Sequence, residues 1–523
     1  MTTKRVLLVA AENDALPGGK VGGVGDVIRD VSPALAQIGW RVDVITPSHG
    51  FLHRTAGACL RGTVSFTFAG HSTTADLYAV PGKRPQAGVT QLVIDHPAFV
   101  SCQGERQIYH HDPPSCPFAF DASKYARFAA AVAGSLAQGL LAAPDVLHLH
   151  DWHAAFLLMV CRHRSAEAWL RNLWTVFTIH NLGLQGIRPL RGHESSMASW
   201  FPDMDAATHL ADRRWPDCVN PMAAAIRLAD VVHTVSPSYA EEILRPSHAP
   251  CSFGGEGLEL DLRAARERDR LFGILNGCDY TDSSPSARRT VFAHFVSDLR
   301  SEVLPWIAGR GTVSSSHLIA LERLRQIEGS ARPAVIFTTV TRLTAQKVYL
   351  LRAIGRNGLS GIETILASIG ESGIYVVLGS GEEAYETFLD EVSARHANFV
   401  FLRGYSDACA RALYDNGDVF VMPSSYEPCG ITQMLAMRAG QPCIVHTVGG
   451  LRDTVRDGID GFTFAGGTVE QQVDGLGAAC ARAVSLRMEN PDAWRELQAR
   501  AAAVRFSWTD TVTSYVAQLY LPR

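Results

Sequence analysis

The residues best suited to chemistry fall in a few short runs. Gly18-Gly19-Lys20-Val21-Gly22-Gly23-Val24-Gly25-Asp26 joins a mobile ammonium to glycines that let backbone N–H groups approach an anion at a helix amino terminus. A tight strand-to-helix turn explains such a run equally well, and Lys20 tips the balance toward an anion. Thr341 to Lys347, TRLTAQK, sets Arg342 and Lys347 directly after an apolar stretch, at the strand end where α/β sheets bind ligands. Two solvated cations are the plain alternative. Glu427-Pro428-Cys429-Gly430 and Thr447-Val448-Gly449-Gly450-Leu451 each follow another apolar run and open a helical segment. Helix amino termini and two cations converging on one sheet edge suit the stabilisation of a departing nucleotide diphosphate.

Histidines cluster in His148-Leu149-His150-Asp151-Trp152-His153, and His180-Asn181 ends a further apolar run. An HxH pair with a third histidine nearby has the look of a zinc site, but no carboxylate or cysteine completes a ligand set at the usual spacing. Hydrogen-bonded histidines at a strand end are the better expectation. Asp203-Met204-Asp205 has the DxD form of a metal-dependent transferase, yet it follows Phe201-Pro202 in a polar loop rather than a strand. Neither run is therefore read as a metal site, and no cofactor is expected.

The elements that must position these residues form two series. Arg5 to Ala11, Arg41 to Thr46, Leu92 to Ile94, Val146 to His150, Trp174 to Ile179 and Val231 to Val235 are β-rich apolar runs, and Asp26 to Ile38 has helical spacing. This half predicts a parallel sheet with helices on both faces. The stretch from Asp282 to Arg332 is charged and weakly patterned and interrupts the rhythm. A second series follows, with strands Val335 to Val340, Tyr375 to Leu378, Phe399 to Leu402, Val419 to Met422 and Cys443 to His446. Helices Ala408 to Tyr414 and Ile431 to Ala439 stand between them. The expected class is α/β, two doubly wound halves facing a ligand cleft.

A chain of 523 residues with 47% hydrophobic and 19% charged residues is long enough for two or three globular domains. A net charge of -4 gives no basic field, so nucleic acid is not an expected partner. The apolar run near the amino terminus is too short for a signal peptide, and Ala129 to Ala143 is broken by polar residues, so neither secretion nor a membrane is expected. The expected location is cytoplasmic, and eleven cysteines, none in a CxxC pair, are read as reduced thiols.

KVGGVGDV at 20–27, HDWHA at 150–154, TIHNLGLQG at 178–186 and ILNGCD at 274–279 together resemble the ADP-glucose type of glycogen and starch synthases. TRLTAQK at 341–347, the run from Gly404 to Gln433, VGGLRDTV at 448–455 and the closing Arg505-Phe506-Ser507-Trp508 agree, in family order across nearly the whole chain. The resemblance implies a GT-B fold of two Rossmann-like domains, 1–273 on the acceptor side and 274–500 on the donor side, with a helix in 501–523 returning to the first. It implies retaining transfer of glucose from ADP-glucose to the non-reducing end of an α-1,4-glucan, without a metal. By the same resemblance Lys20 binds the donor, Arg342 and Lys347 meet the diphosphate, and Glu427 stands at the catalytic centre. Asp151, His180, Asn276 and Cys429 fall on active-site positions, with Gly22, Gly23, Gly430, Gly449 and Gly450 in the binding loops.

Four departures stand out: Ala223 in place of a lysine, Val348 in place of a glycine, Ser425 where arginine is frequent, and Thr281 to Pro285 in place of W-N-P. They leave open a related glucosyltransferase that uses UDP-glucose or a small acceptor. A non-catalytic glucan or sugar-nucleotide binder is the third alternative, and it has no use for Glu427. A pyridoxal-phosphate phosphorylase shares the fold but not these blocks.

Overall fold

The computed structural model describes residues 3–100, 107–204, 209–280, 291–309 and 314–521. The chain divides into two compact units, the first made of Met1–Ser247, Gly254–Gly277 and Ser507–Arg523, the second of His248–Phe253 and Cys278–Phe506. Among the described residues no helix is long and apolar enough to cross a membrane.

The first unit is built on a nine-stranded sheet. Its order is Leu271–Gly273, Val231–Thr234, Trp174–Ile179, Val146–His150, Arg5–Val9, Arg41–Pro47, Val89–Asp95, His71–Ala79, Cys59–Phe68. Strands from Leu271–Gly273 to Val89–Asp95 pair in parallel. Such strands are buried on both faces, which is why they read as unbroken apolar runs. Successive side chains of Arg5–Val9 feed opposite cores, Leu7 and Val9 one, Val6 and Leu8 the other. The second of these cores also takes Val27, Ile28, Val31 and Leu35 of helix Gly23–Gln37, and Trp508, Val512 and Tyr515 of the closing helix Trp508–Gln518. The sheet is parallel as expected except at one edge, where His71–Ala79 and Cys59–Phe68 form an antiparallel hairpin.

The second unit has a six-stranded, fully parallel sheet in the order Phe399–Arg403, Gly373–Gly379, Val335–Val340, Val419–Met422, Cys443–His446, Gly461–Phe464. The stretch read as an interruption instead holds helices Phe292–Gly309 and Ser315–Glu328. They bury Phe295, Val296, Leu299, Val303, Ala320 and Leu324 against one face of the sheet.

Each sheet has a point where the strand order turns back on itself. In the first unit it lies between Arg5–Val9 and Val146–His150, in the second between Val335–Val340 and Val419–Met422. Outside the carboxyl ends of two such strands the following loops diverge and leave a crevice, the usual ligand position in open α/β sheets.

Candidate active site

At the first unit's switch point the chain leaves Arg5–Val9 and reaches Glu12, a carboxylate only 2% exposed. Its Oε2 accepts from the backbone N–H groups of Val21 at 2.8 Å and Gly22 at 2.6 Å, and its Oε1 accepts from the Tyr109 hydroxyl at 2.7 Å. In this structure these two loop amides are bonded to the chain's own carboxylate. Gly22 is the residue before helix Gly23–Gln37, and a Cβ on Gly23 would meet nothing within 4 Å. Lys20, more than a third exposed, pairs with Asp26 at 2.7 Å.

The neighbouring strand Val146–His150 runs straight into Asp151, whose φ of 57° is in the left-handed region that few non-glycine residues adopt. Its Oδ1 accepts the His180 backbone N–H at 2.7 Å, so Asp151 ties together the ends of two adjacent strands. Burial pushes its carboxyl up to about 7, against the pull of the His180 and Asn181 amides. Burial also lowers His180 to about 3 and holds His148 and His150 well below the ordinary histidine range, so these rings are neutral. His148 bonds Thr178 at 2.6 Å and Tyr520 at 2.8 Å, and His150 Nδ1 lies 2.9 Å from His180 Nε2. The HxH pair is spent on hydrogen bonds, and no group of three or more metal-ligating side chains is found among the described residues. Asn276 is 3% exposed, and its Oδ1 is a buried acceptor with no partner among the described residues.

At the second unit's switch point Lys347 and Glu427 form an ion pair across the two loops, with side chains 15% and 5% exposed. Ser424 Oγ donates to the same Glu427 Oε2 at 3.1 Å, and Gly450 N–H donates to the Glu427 carbonyl at 3.0 Å. The backbone needs glycine here. A Cβ on Gly450 would stand 2.3 Å from the Cys429 carbonyl oxygen, and Gly430 has φ 78°. Gln433 Nε2 holds the turn by donating to the carbonyls of Cys429 and Gly430, both at 3.1 Å. Gly449 opens the short helix Gly449–Thr454. Arg342 is exposed, and among the described residues no ion pair joins it to another side chain, whereas Lys347 is joined directly to Glu427. A buried pair gains little net stability after desolvation, and losing one partner costs about 3–5 kcal/mol.

Three residues of this geometry were not singled out from the sequence: Glu12, Tyr109 and Ser424. Glu12 alone carried a signal, since it sits at the carboxyl end of a strand in the same turn as the glycine run. Of the departures, Ala223 is wholly buried in helix Pro221–Leu228, Val348 is 1% exposed in the core, and Ser425 keeps a buried Oγ without a partner among the described residues. Thr281 to Pro285 and Asp205 lie outside the described residues, while Asp203 pairs with Arg164 at 2.9 Å.

Two Rossmann-type sheets in one chain, each with its polar groups gathered at the switch point, are the plan of the GT-B fold. The solved catalytic domain of Starch Synthase IV from Arabidopsis thaliana, bound to ADP and acarbose, has a TM-score of 0.74 to this chain at 25% identity, covering 99% of both. Sucrose-phosphate synthase from Thermosynechococcus elongatus shares the fold, with a TM-score of 0.54 at 18% identity and coverage of 99% and 98%. A starch synthase catalytic domain model matches residues 5–264, and one for glycosyl transferases group 1 matches residues 362–482. Glycogen synthase of Anaeromyxobacter dehalogenans (strain 2CP-C) is 33% identical over 98% of both chains, and that of Streptococcus sanguinis (strain SK36) is 31% identical over 99% of both. The chain belongs to the glycogen synthase family, the glycosyltransferases of glycogen and starch synthesis.

Proposed function

We propose that the chain takes glucose from ADP-glucose and adds it to the non-reducing end of an α-1,4-glucan with retention of configuration. The observation that carries this reading is the Lys347–Glu427 pair at the carboxyl ends of the two strands flanking the second switch point. As the glycosidic bond breaks, negative charge grows on the diphosphate and positive charge on the sugar. Lys347, with Arg342 as the second cation, binds the first more tightly in the transition state than in the ground state, and Glu427 serves the second. Asn276, Cys429, Gly430, Gly449 and Gly450 shape the binding loops, and Lys20 adds a further cation for the donor. His180 and Asp151 address sugar hydroxyls, and the neutral His180 ring suits such uncharged partners. Gly23, which the chain's own packing does not require, suits close backbone approach of a ligand. Adenine as the base is supported by the ADP in the solved starch synthase. No metal is needed where cations and helix ends meet the leaving group.

Purified protein incubated with ADP-glucose or UDP-glucose and glycogen tests this by nucleotide release and chain growth. Release of ADP with glycogen elongation that persists in EDTA is expected. A preference for UDP-glucose, or sugar transfer to a small acceptor alone, overturns the donor or acceptor assignment. Glu427→Gln is expected to lower kcat far more than it raises the donor KM. An unimpaired kcat removes Glu427 from the site.

A further inference from the structure

His180 is held by a partner that no motif assigns a task. His148 and His150 point to the same face of strand Val146–His150, two residues apart, with rings stacked at 4.3 Å. On the adjacent strand, Thr178 pairs in register with His150 and occupies the His148 Nε2, which leaves His150 Nδ1 to reach His180 Nε2 at 2.9 Å. His150 is 1% exposed, and its Nε2 is buried with no hydrogen-bond partner among the described residues. His180 keeps 9% of its surface open, and its Nδ1 has no partner among the described residues.

Both rings are neutral, so one of the two facing nitrogens donates and the other accepts. If His150 carried its proton on Nε2, a buried N–H would be stranded. With the proton on Nδ1, only a lone pair is left unpaired, and orphaned buried N–H groups are the rarer of the two in folded proteins. His150 Nδ1–H therefore donates to His180 Nε2. The His180 proton is then on its other nitrogen, at the open face of the ring.

We propose that His150 is a positioning residue: by donating from Nδ1 it fixes the tautomer and the angle of His180, so that His180 presents an Nδ1–H donor to a hydroxyl oxygen of the bound sugar. This rests on the assignment of His180 to the sugar made above. His148, stacked on His150 and bonded to Thr178 and Tyr520, clamps the His150 ring from behind. The arrangement resembles metal-bound histidines, whose second nitrogen is committed to a partner that sets the first.

The geometry makes an unusual demand on substitutions. An asparagine amide places its nitrogen where Nδ1 stands, while a glutamine amide reaches only to the Nε2 position. His150→Asn is therefore expected to keep kcat within about fivefold of wild type, and His150→Gln and His150→Leu to lose roughly tenfold or more, with the donor KM little changed. In a cycle with His180→Ala, adding His150→Leu is expected to cost almost nothing further, because the two act as one unit. Loss in all three His150 variants alike, or full additivity, overturns the proposal. If His180→Ala is as active as wild type, the assignment of His180 falls instead, so the two failures are told apart. Selective ¹⁵N-histidine labelling of the wild-type protein, with the His180 signals identified by their loss in His180→Ala, reads the tautomer without any variant of His150. An Nδ1–H form supports the inference, and an Nε2–H form ends it.

Discussion

At the first unit's switch point burial keeps His148, His150 and His180 neutral and pushes the Asp151 carboxyl up, whereas at the second unit's switch point Lys347 and Glu427 remain together as an ion pair. The same architectural position, the ends of two parallel strands where the order reverses, thus carries neutral rings beside a carboxylate capped by loop amides in one unit and a lysine–carboxylate pair in the other. The difference follows the work proposed for each edge. Sugar hydroxyls are neutral, and a neutral ring recognises them without the cost of burying an ion. A leaving diphosphate gains charge in the transition state, so charge held in advance lowers the barrier.

The largest effect expected from breaking this contrast is at Lys347. Lys347→Ala is expected to lower kcat/KM by about a hundredfold or more, and Lys347→Arg to restore only part, because a planar fork does not fill the place of a compact ammonium. The variant also leaves Glu427 buried without its counter-ion. Adding Glu427→Gln is therefore expected to recover stability in urea while leaving activity low. Steady-state kinetics with ADP-glucose varied at saturating glycogen, on protein shown to be folded, checks this. A near wild-type kcat/KM defeats the clamp.

Next comes the neutral edge. His180→Ala removes one hydrogen bond between uncharged groups, so a loss of roughly ten- to thirtyfold in kcat is expected, clearly smaller than at Lys347. An equal or larger loss would blur the division between the two edges.

The two edges also differ in how pH acts on stability. Burial holds the first unit's histidines below the ordinary histidine value of about 6.5, so their contribution is present above about 6.5 and is lost as pH falls through the folded values. Asp151 acts in the opposite sense. Its folded value, raised from 3.8 to about 7, gives stability that is fully present below about 3.8 and lost as pH rises through about 7. Urea unfolding of wild type and Asp151→Asn across pH 4 to 9 is expected to show the variant gaining on wild type as pH rises. A difference that stays constant with pH contradicts the buried, protonated carboxyl. The smallest effect is expected at Gly23→Ala. Its stability change should stay within about 1 kcal/mol, since open space surrounds the new methyl, while the donor KM rises if a ligand approaches that backbone.

Much of the fold was legible because parallel strands buried on both faces leave runs such as Val335–Val340 and Val419–Met422 that few other structures produce. The hairpin Cys59–Phe68/His71–Ala79 was not, because its strands show one face to solvent and its two-residue turn is Ala69-Gly70. Both residues have positive φ, yet alanine gives none of the signal that asparagine or aspartate would. Helix Phe292–Gly309 contains Pro305, and helix Ser315–Glu328 buries only a narrow stripe around His317, Ala320 and Leu324, so neither shows a broad apolar period. Within the sites, residue types could be read but pairings could not. Lys347 and Glu427 are 80 positions apart, and His148 and Tyr520 are 372 apart. Glu12 stands in the same turn as the glycine run, but two of its partners are backbone amides and the third, Tyr109, is 97 positions away, so its pairings could not be read either.

The pairing of His148 with Tyr520 has a consequence for how the molecule is made. His148 obtains its Tyr520 bond, and strand Trp174–Ile179 the bond from the Trp174 indole to the Leu519 carbonyl at 2.8 Å, only from the segment after Ser507. On a ribosome the six-stranded sheet of the second unit is complete before that segment emerges, and it can fold as synthesis proceeds. The first unit, begun earlier, must wait with its buried histidines unclosed until residues 508–520 arrive. The unit started first is therefore finished last, and a nascent chain stalled within the second sheet carries a first unit that still lacks one wall of its core.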